Sequence, residues 1–146
     1  MNKIHVWVGS DHGGYDMKIQ VVKMLRNDEK YEVHDVGPYY QESVDYPYYA
    51  RLVTDSVSEE ENSFGILICG TGVGMSIVAN KQKGIRAVLA HNEFVSSMGR
   101  RHNDANVLCM GARVIGSSLG LEIVNSFLSA EFEGGRHERR VRQIEN

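Results

Sequence analysis

The sequence predicts an α/β fold in which a parallel sheet lies between layers of helices. Two patterns carry this expectation: five short apolar runs recur along the chain, and longer stretches with helical spacing of apolar residues separate them. A third observation locates the ligand. Glycine-rich segments directly follow the first and third apolar runs, where a parallel sheet presents its carboxyl edge.

Residues 4–8 read as the first buried strand, followed by the loop Gly9-Ser10-Asp11-His12-Gly13-Gly14 and a helix over 15–26. The second strand, 31–36, leads through Ser43-Val44-Asp45-Tyr46-Pro47 into a helix over 46–57. Glu59-Glu60-Glu61-Asn62-Ser63 reads as an exposed turn before the strand 65–69. That strand runs straight into Gly70-Thr71-Gly72-Val73-Gly74, with a helix expected over 75–81. Strand 87–90, helix 93–101, strand 107–110 and helix 117–128 complete the alternation. Such alternation implies a three-layer α/β/α Rossmann-like fold with a five-stranded parallel sheet. A length of 146 residues fits one domain, 1–146.

Composition removes several classes. With 42% hydrophobic and 24% charged residues the chain sits near the globular average, away from disordered, collagenous and membrane proteins. A net charge of −3 argues against a nucleic-acid partner, since neutralising phosphates needs a basic face. Basic residues do cluster in Arg100-Arg101-His102 and between Arg136 and Arg142, so a small phosphate-bearing ligand stays open beside the plainer reading of two solvated faces. No apolar stretch reaches membrane-spanning length, and Met1-Asn2-Lys3 passes into the first strand without a secretory pattern, so a cytoplasmic protein is expected. Cys69 and Cys109 each close an apolar run outside any metal-type spacing, and reduced thiols are expected over a disulfide.

The glycines at 70, 72 and 74 are the sharpest local signal, because bare backbone between a strand and a helix lets amides approach an anion. Close strand-to-helix packing is the competing explanation. A dinucleotide fingerprint would need Gly or Ala where Met75 stands and an acidic residue at the end of the next strand, where the chain has Ala90-His91, so nicotinamide binding is not expected. Cys69, facing amide dipoles at a helix N-terminus, is a candidate base or nucleophile; a small buried core residue is the alternative. Asp11 and His12 stand at the same edge as substrate contacts, unless Asp11 only caps the next helix. His102-Asn103-Asp104 precedes the fifth strand at its amino end, the wrong edge for a shared site within one chain. Arg136 and Arg140, four apart, share a face if their segment is helical and would form a phosphate clamp; surface ion pairing is the equal alternative.

These pieces together resemble the type-B ribose-5-phosphate isomerases, whose fold is shared by galactose-6-phosphate and allose-6-phosphate isomerases. The resemblance covers nearly the whole chain and rests on Gly9 to Gly14, Asp45-Tyr46-Pro47, Ile68 to Gly74 with Ala79-Asn80-Lys81, Arg101 to Asn106, and Glu133-Gly134-Gly135-Arg136-His137. It implies that Cys69 is the proton-abstracting base and that the amides of Gly70, Thr71, Gly72, Val73 and Gly74 bind the enediolate. It implies that His102, assisted by Thr71, opens the furanose ring, that Asp11 and Asn103 hold sugar hydroxyls, and that His12, Arg113, Arg136 and Arg140 contact phosphate. Relatives lacking the cysteine use a glutamate where Met75 stands, so this chain resembles the cysteine type. The resemblance also implies a site shared across a homodimer, or a dimer of dimers, which gives His102 a role in a neighbouring subunit. Neither a metal nor an organic cofactor is expected. An isomerase of a six-carbon sugar phosphate, and a non-catalytic sugar-phosphate or nucleotide-binding module, remain the alternatives.

Overall fold

A computed structural model describes residues 2–145. Its strands are β1 (Ile4–Ser10), β2 (Tyr31–Gly37), β3 (Ser63–Cys69), β4 (Ala87–Leu89) and β5 (Val107–Gly111). Its helices are α1 (Tyr15–Arg26), α2 (Tyr46–Glu59), α3 (Val73–Asn80), α4 (Glu93–Asn103), α5 (Ser117–Ser129) and α6 (Arg136–Val141), with a 3-10 turn at His12–Gly14. All pairings are parallel and the strand order is β2-β1-β3-β5-β4. Chain direction across the sheet reverses beside β1 and β3, which opens a crevice at their carboxyl ends.

The period-two alternation of the strands builds two cores. Val6, Val8, Ile66, Ile68, Leu108 and Met110 face α1 and α5, where Val21, Leu25, Ile123 and Phe127 are fully or almost fully buried. Leu67, Cys69, Val107 and Cys109 face α2 and α3, against Ala50, Val53, Met75 and Ala79. Each buried Val, Leu, Ile, Phe or Met side chain among these contributes about 1.5–3 kcal/mol of burial free energy. The sheet is thus the middle of three layers. Among the described residues no helix is long and apolar enough to cross a membrane.

Several boundaries move from the sequence reading. Gly9 and Ser10 extend β1 because they pair with Leu67 and Ile68, and Ser10 is fully buried. Ser63 begins β3, its hydroxyl donating to the carbonyls of Val57 and Glu60, so the exposed turn stops at Asn62. The third helix starts at Val73, two residues before Met75, which shortens the glycine loop. The basic cluster 100–102 is not one solvated face. Arg100 is 8% exposed, lies 4.7 Å over the Phe64 ring, and donates to the carbonyl of Ala105 at 2.7 Å and to Asp104 at 3.1 Å. A guanidinium committed in this way holds the end of α4 on the core and is unavailable to a ligand.

Candidate functional site

Two sets of predicted site residues form, one at each end of the strands. The first lies at the carboxyl edge, where the loops after β1, β3 and β5 meet. Asp11 N–H donates to the Ile68 carbonyl at 3.1 Å, and a Cβ on Gly13 would lie 3.3 Å from Gly70 N. Arg113 N–H donates to the Gly70 carbonyl at 3.0 Å, and Ala112 N–H to that of Cys69 at 2.9 Å. These main-chain bonds fix the glycine loop between its neighbours.

Gly72 has φ 79°, the left-handed region that favours glycine, and a Cβ there would stand 2.6 Å from Leu89 and 2.8 Å from the Met110 backbone. This sharp turn brings Gly72 N–H back to Cys69 Sγ, which accepts it at 3.1 Å. The amide is aimed where negative charge on sulfur would sit, at the first turn of α3. Thr71 is exposed, and its hydroxyl accepts from Val73 N–H at 3.3 Å. Cys109 lies on the same face of the neighbouring strand; both cysteines are free, and burial pushes the Cys109 thiol well above the ordinary range.

Asp11 does cap the 3-10 turn, accepting from Gly14 N–H at 3.1 Å through Oδ1, which leaves its second oxygen for a ligand. His12 Nδ1 accepts the Val44 amide at 3.2 Å, so its proton sits on Nε2 as a donor. The Arg113 side chain reaches within 3.4 Å of where a Gly70 Cβ would be. A thiol that is 5% exposed, loop amides, an imidazole donor and a guanidinium thus gather at one sheet edge, residue types able to take a proton from carbon while holding an anion. Two residues at this edge were named from sequence only within loop segments and given no role. His91 follows β4 and its Nε2 accepts from Gly111 N–H at 3.1 Å; the Tyr46 ring would meet a Cβ on Gly74 at 2.6 Å. The position of His91 directly after a strand was the available signal.

The second set lies at the amino edge, because α4 runs back from β4 to the start of β5. His102 stacks on His137, with centroids 4.2 Å apart and planes 8° from parallel. Glu133 Oε1 lies 3.6 Å from His102 and 3.7 Å from His137, and Arg101 binds the same carboxylate at 2.7 Å. That bond from Arg101 holds the Glu133 carboxyl below its usual range. His102, Asn103, His137 and Arg140 line a cleft of about 400 Å³. The segment after α5 is helical, so Arg136 and Arg140 share a face of α6 and both are exposed. The four expected phosphate contacts therefore divide, with His12 and Arg113 at one edge and Arg136 and Arg140 at the other. Spacing alone reveals no metal-type cluster, yet among the described residues the fold assembles two: His102, Glu133 and His137 here, and His5, Glu32 and His34 elsewhere.

A switch-point crevice walled by main-chain donors is the architecture of an α/β enzyme that grips a small anion. Comparison with known proteins narrows that class. The chain belongs to the Ribose/Galactose Isomerase family, whose model matches residues 6–144. It is therefore an isomerase, an intramolecular oxidoreductase. It is 47% identical over 136 residues to ribose-5-phosphate isomerase B of Escherichia coli, covering 93% of this chain and 91% of that protein. It superposes with a TM-score of 0.92 on ribose-5-phosphate isomerase B of Clostridium thermocellum, at 48% identity, covering 96% of this chain and 94% of the other. The Mycoplasma genitalium enzyme with bound ribulose-5-phosphate gives a TM-score of 0.92 at 42% identity, covering 96% and 93%.

Proposed function

We propose that this enzyme interconverts ribose 5-phosphate and ribulose 5-phosphate by proton transfer through an enediolate, with Cys69 as the base. The observation that carries the reading is the Cys69 Sγ contact with Gly72 N–H at 3.1 Å, which seats the sulfur against an anion-binding turn. In the open-chain aldose, the Cys69 thiolate removes the proton from C2, and the C2–H electron pair forms the enediolate double bond as the carbonyl oxygen takes up charge. The amides from Gly70 to Gly74 meet that charge. The O2 proton then passes to O1, and the resulting thiol returns its proton to C1 as the O2 electrons form the C2 carbonyl, giving the ketose. A positioned base accounts for roughly a hundredfold to ten-thousandfold of the rate, with oriented amides adding several kcal/mol.

His102 with Thr71 opens the furanose ring, Asp11 and Asn103 hold hydroxyls, and His12, Arg113, Arg136 and Arg140 hold the phosphate. Because these residues occupy opposite edges of one sheet, a twofold partner completes each site in a dimer or dimer of dimers. The free thiols suit a cytoplasmic setting.

The deciding experiment compares isomerisation of ribose 5-phosphate and allose 6-phosphate by the unmodified protein and by Cys69→Ala. The reading requires preference for the five-carbon sugar and loss of turnover in the variant with sugar-phosphate affinity largely kept. Preference for the six-carbon sugar removes the substrate assignment; near-normal turnover of Cys69→Ala removes the base.

A further inference from the structure

At the amino ends of β1 and the edge strand β2, away from the crevice, four metal-type side chains converge. The parallel register pairs His5 with Glu32 and Trp7 with His34, and residues two apart on a strand share a face, so His5, Trp7, Glu32 and His34 point to one side. His5 Nδ1 lies 3.0 Å from His34 Nε2 and 3.5 Å from Glu32 Oε2. On the other side of the same ring, His5 Nε2 lies 2.9 Å from Glu60 Oε1, just past the end of α2.

We propose that His5 Nδ1, His34 Nε2 and Glu32 form a zinc(II) site, with Glu60 orienting His5 from behind. Tetrahedral zinc with ligands at roughly 2.0–2.1 Å places neighbouring ligand atoms about 3.3 Å apart; the two separations from His5 bracket that value, and all three ligand atoms lie within 4.8 Å of one another. Glu60 supplies what a ligating histidine needs. By accepting the Nε2 proton it leaves the Nδ1 lone pair facing the site, the carboxylate–histidine–metal arrangement. Zinc entry replaces the hydrogen bond between the two imidazoles, and His34 moves its proton from Nε2 to Nδ1, so no net proton transfer is required. Two imidazoles and one carboxylate favour zinc over magnesium or calcium, which select oxygen.

The second cluster, at His102, is less suited. Its measured separations are 3.6 and 3.7 Å, and its carboxylate is already bound by the Arg101 guanidinium at 2.7 Å, whose charge opposes a cation. The proposed site shares no residue with the proposed isomerase machinery. Zinc there ties β1, β2 and, through Glu60, the end of α2.

The chain's single tryptophan reports on the site, since Trp7 stacks on the His34 ring with centroids 3.9 Å apart. Zinc chloride is titrated into chelator-treated protein while Trp7 emission is followed, with stoichiometry from a chromogenic chelator. The expected result is a saturable emission change at one equivalent, abolished in His34→Gln and in Glu32→Gln, weakened about 10- to 100-fold in Glu60→Gln, and unchanged in His137→Gln. Glu32 is exposed and Glu60 half-buried, so their variants test the site even if His34→Gln fails to fold. No saturable change in the unmodified protein, a change that persists in Glu32→Gln, or one lost in His137→Gln overturns the proposal.

Discussion

Lys18, only 1% exposed on α1, places its ammonium between both carboxylate oxygens of Asp35 on β2, at 2.8 and 2.9 Å. Asp35 also accepts Gly37 N–H at 2.9 Å, which sets the start of the loop that ends in Val44, the donor to His12. Lys18→Met leaves Asp35 without its partner and should lower unfolding free energy by about 3 kcal/mol, measured by urea denaturation. Lys18→Met with Asp35→Asn should recover part of that loss. A single variant as stable as the parent would show that the ion pair is not a structural tie.

The two thiols should separate chemically. Cys109 is fully buried with its ionisation suppressed by that burial, whereas Cys69 ends its strand at the crevice with a main-chain donor on its sulfur. Iodoacetamide should label Cys69 in step with loss of activity, and Cys109 only after denaturation. Peptide mapping that finds both labelled at equal rates in the folded protein contradicts this order.

Much of the fold was legible because β3, β4 and β5 are nearly continuous apolar runs, β1 and β2 alternate apolar with polar residues, and the helices carry clean periodicity. The errors have local causes. Gly9 and Ser10 look like turn residues, but pairing with β3 overrides their weak strand preference, and Val73 joins α3 because Gly74 lets the Tyr46 ring close against that turn. Charge counting grouped Arg100 with Arg101 and His102; only packing shows Phe64 beneath its guanidinium. The crevice was readable from glycine spacing, whereas the His5, Glu32 and His34 cluster spans 29 residues and appears only once the register of β1 on β2 is known.

The proposed division of the site between sheet edges is tested by subunit mixing. Cys69→Ala and His102→Ala proteins, each inactive alone, should regain activity after subunit exchange, since a hybrid dimer has one site with both residues intact. Equal mixing makes about half the dimers hybrid, each with one working site, so about a quarter of parent activity is expected. Verified exchange without recovery would place His102 outside the partner's site.

Acid should loosen the region around α6. Loss of solvent around the ring, followed by the charge of His102 and of Arg136, holds the His137 imidazole below the ordinary histidine value, while Glu133 opposes them. The folded ring then binds fewer protons than the unfolded one, so its effect on stability becomes unfavourable as pH falls below about 6.5. His137→Gln should flatten the acid side of the stability profile from about pH 6.5 downward. A variant that keeps the parent's slope in thermal melts across this range would refute the assignment.

β4, with three residues, forms one margin of the sheet, and β2 forms the other, with exposed Glu32 among its seven. A margin three residues long offers few main-chain groups to an incoming strand, and a carboxylate on the opposite margin discourages another. Ribbon-like growth by strand addition is therefore disfavoured at both ends, and helical surfaces are what remains for the proposed second copy to meet.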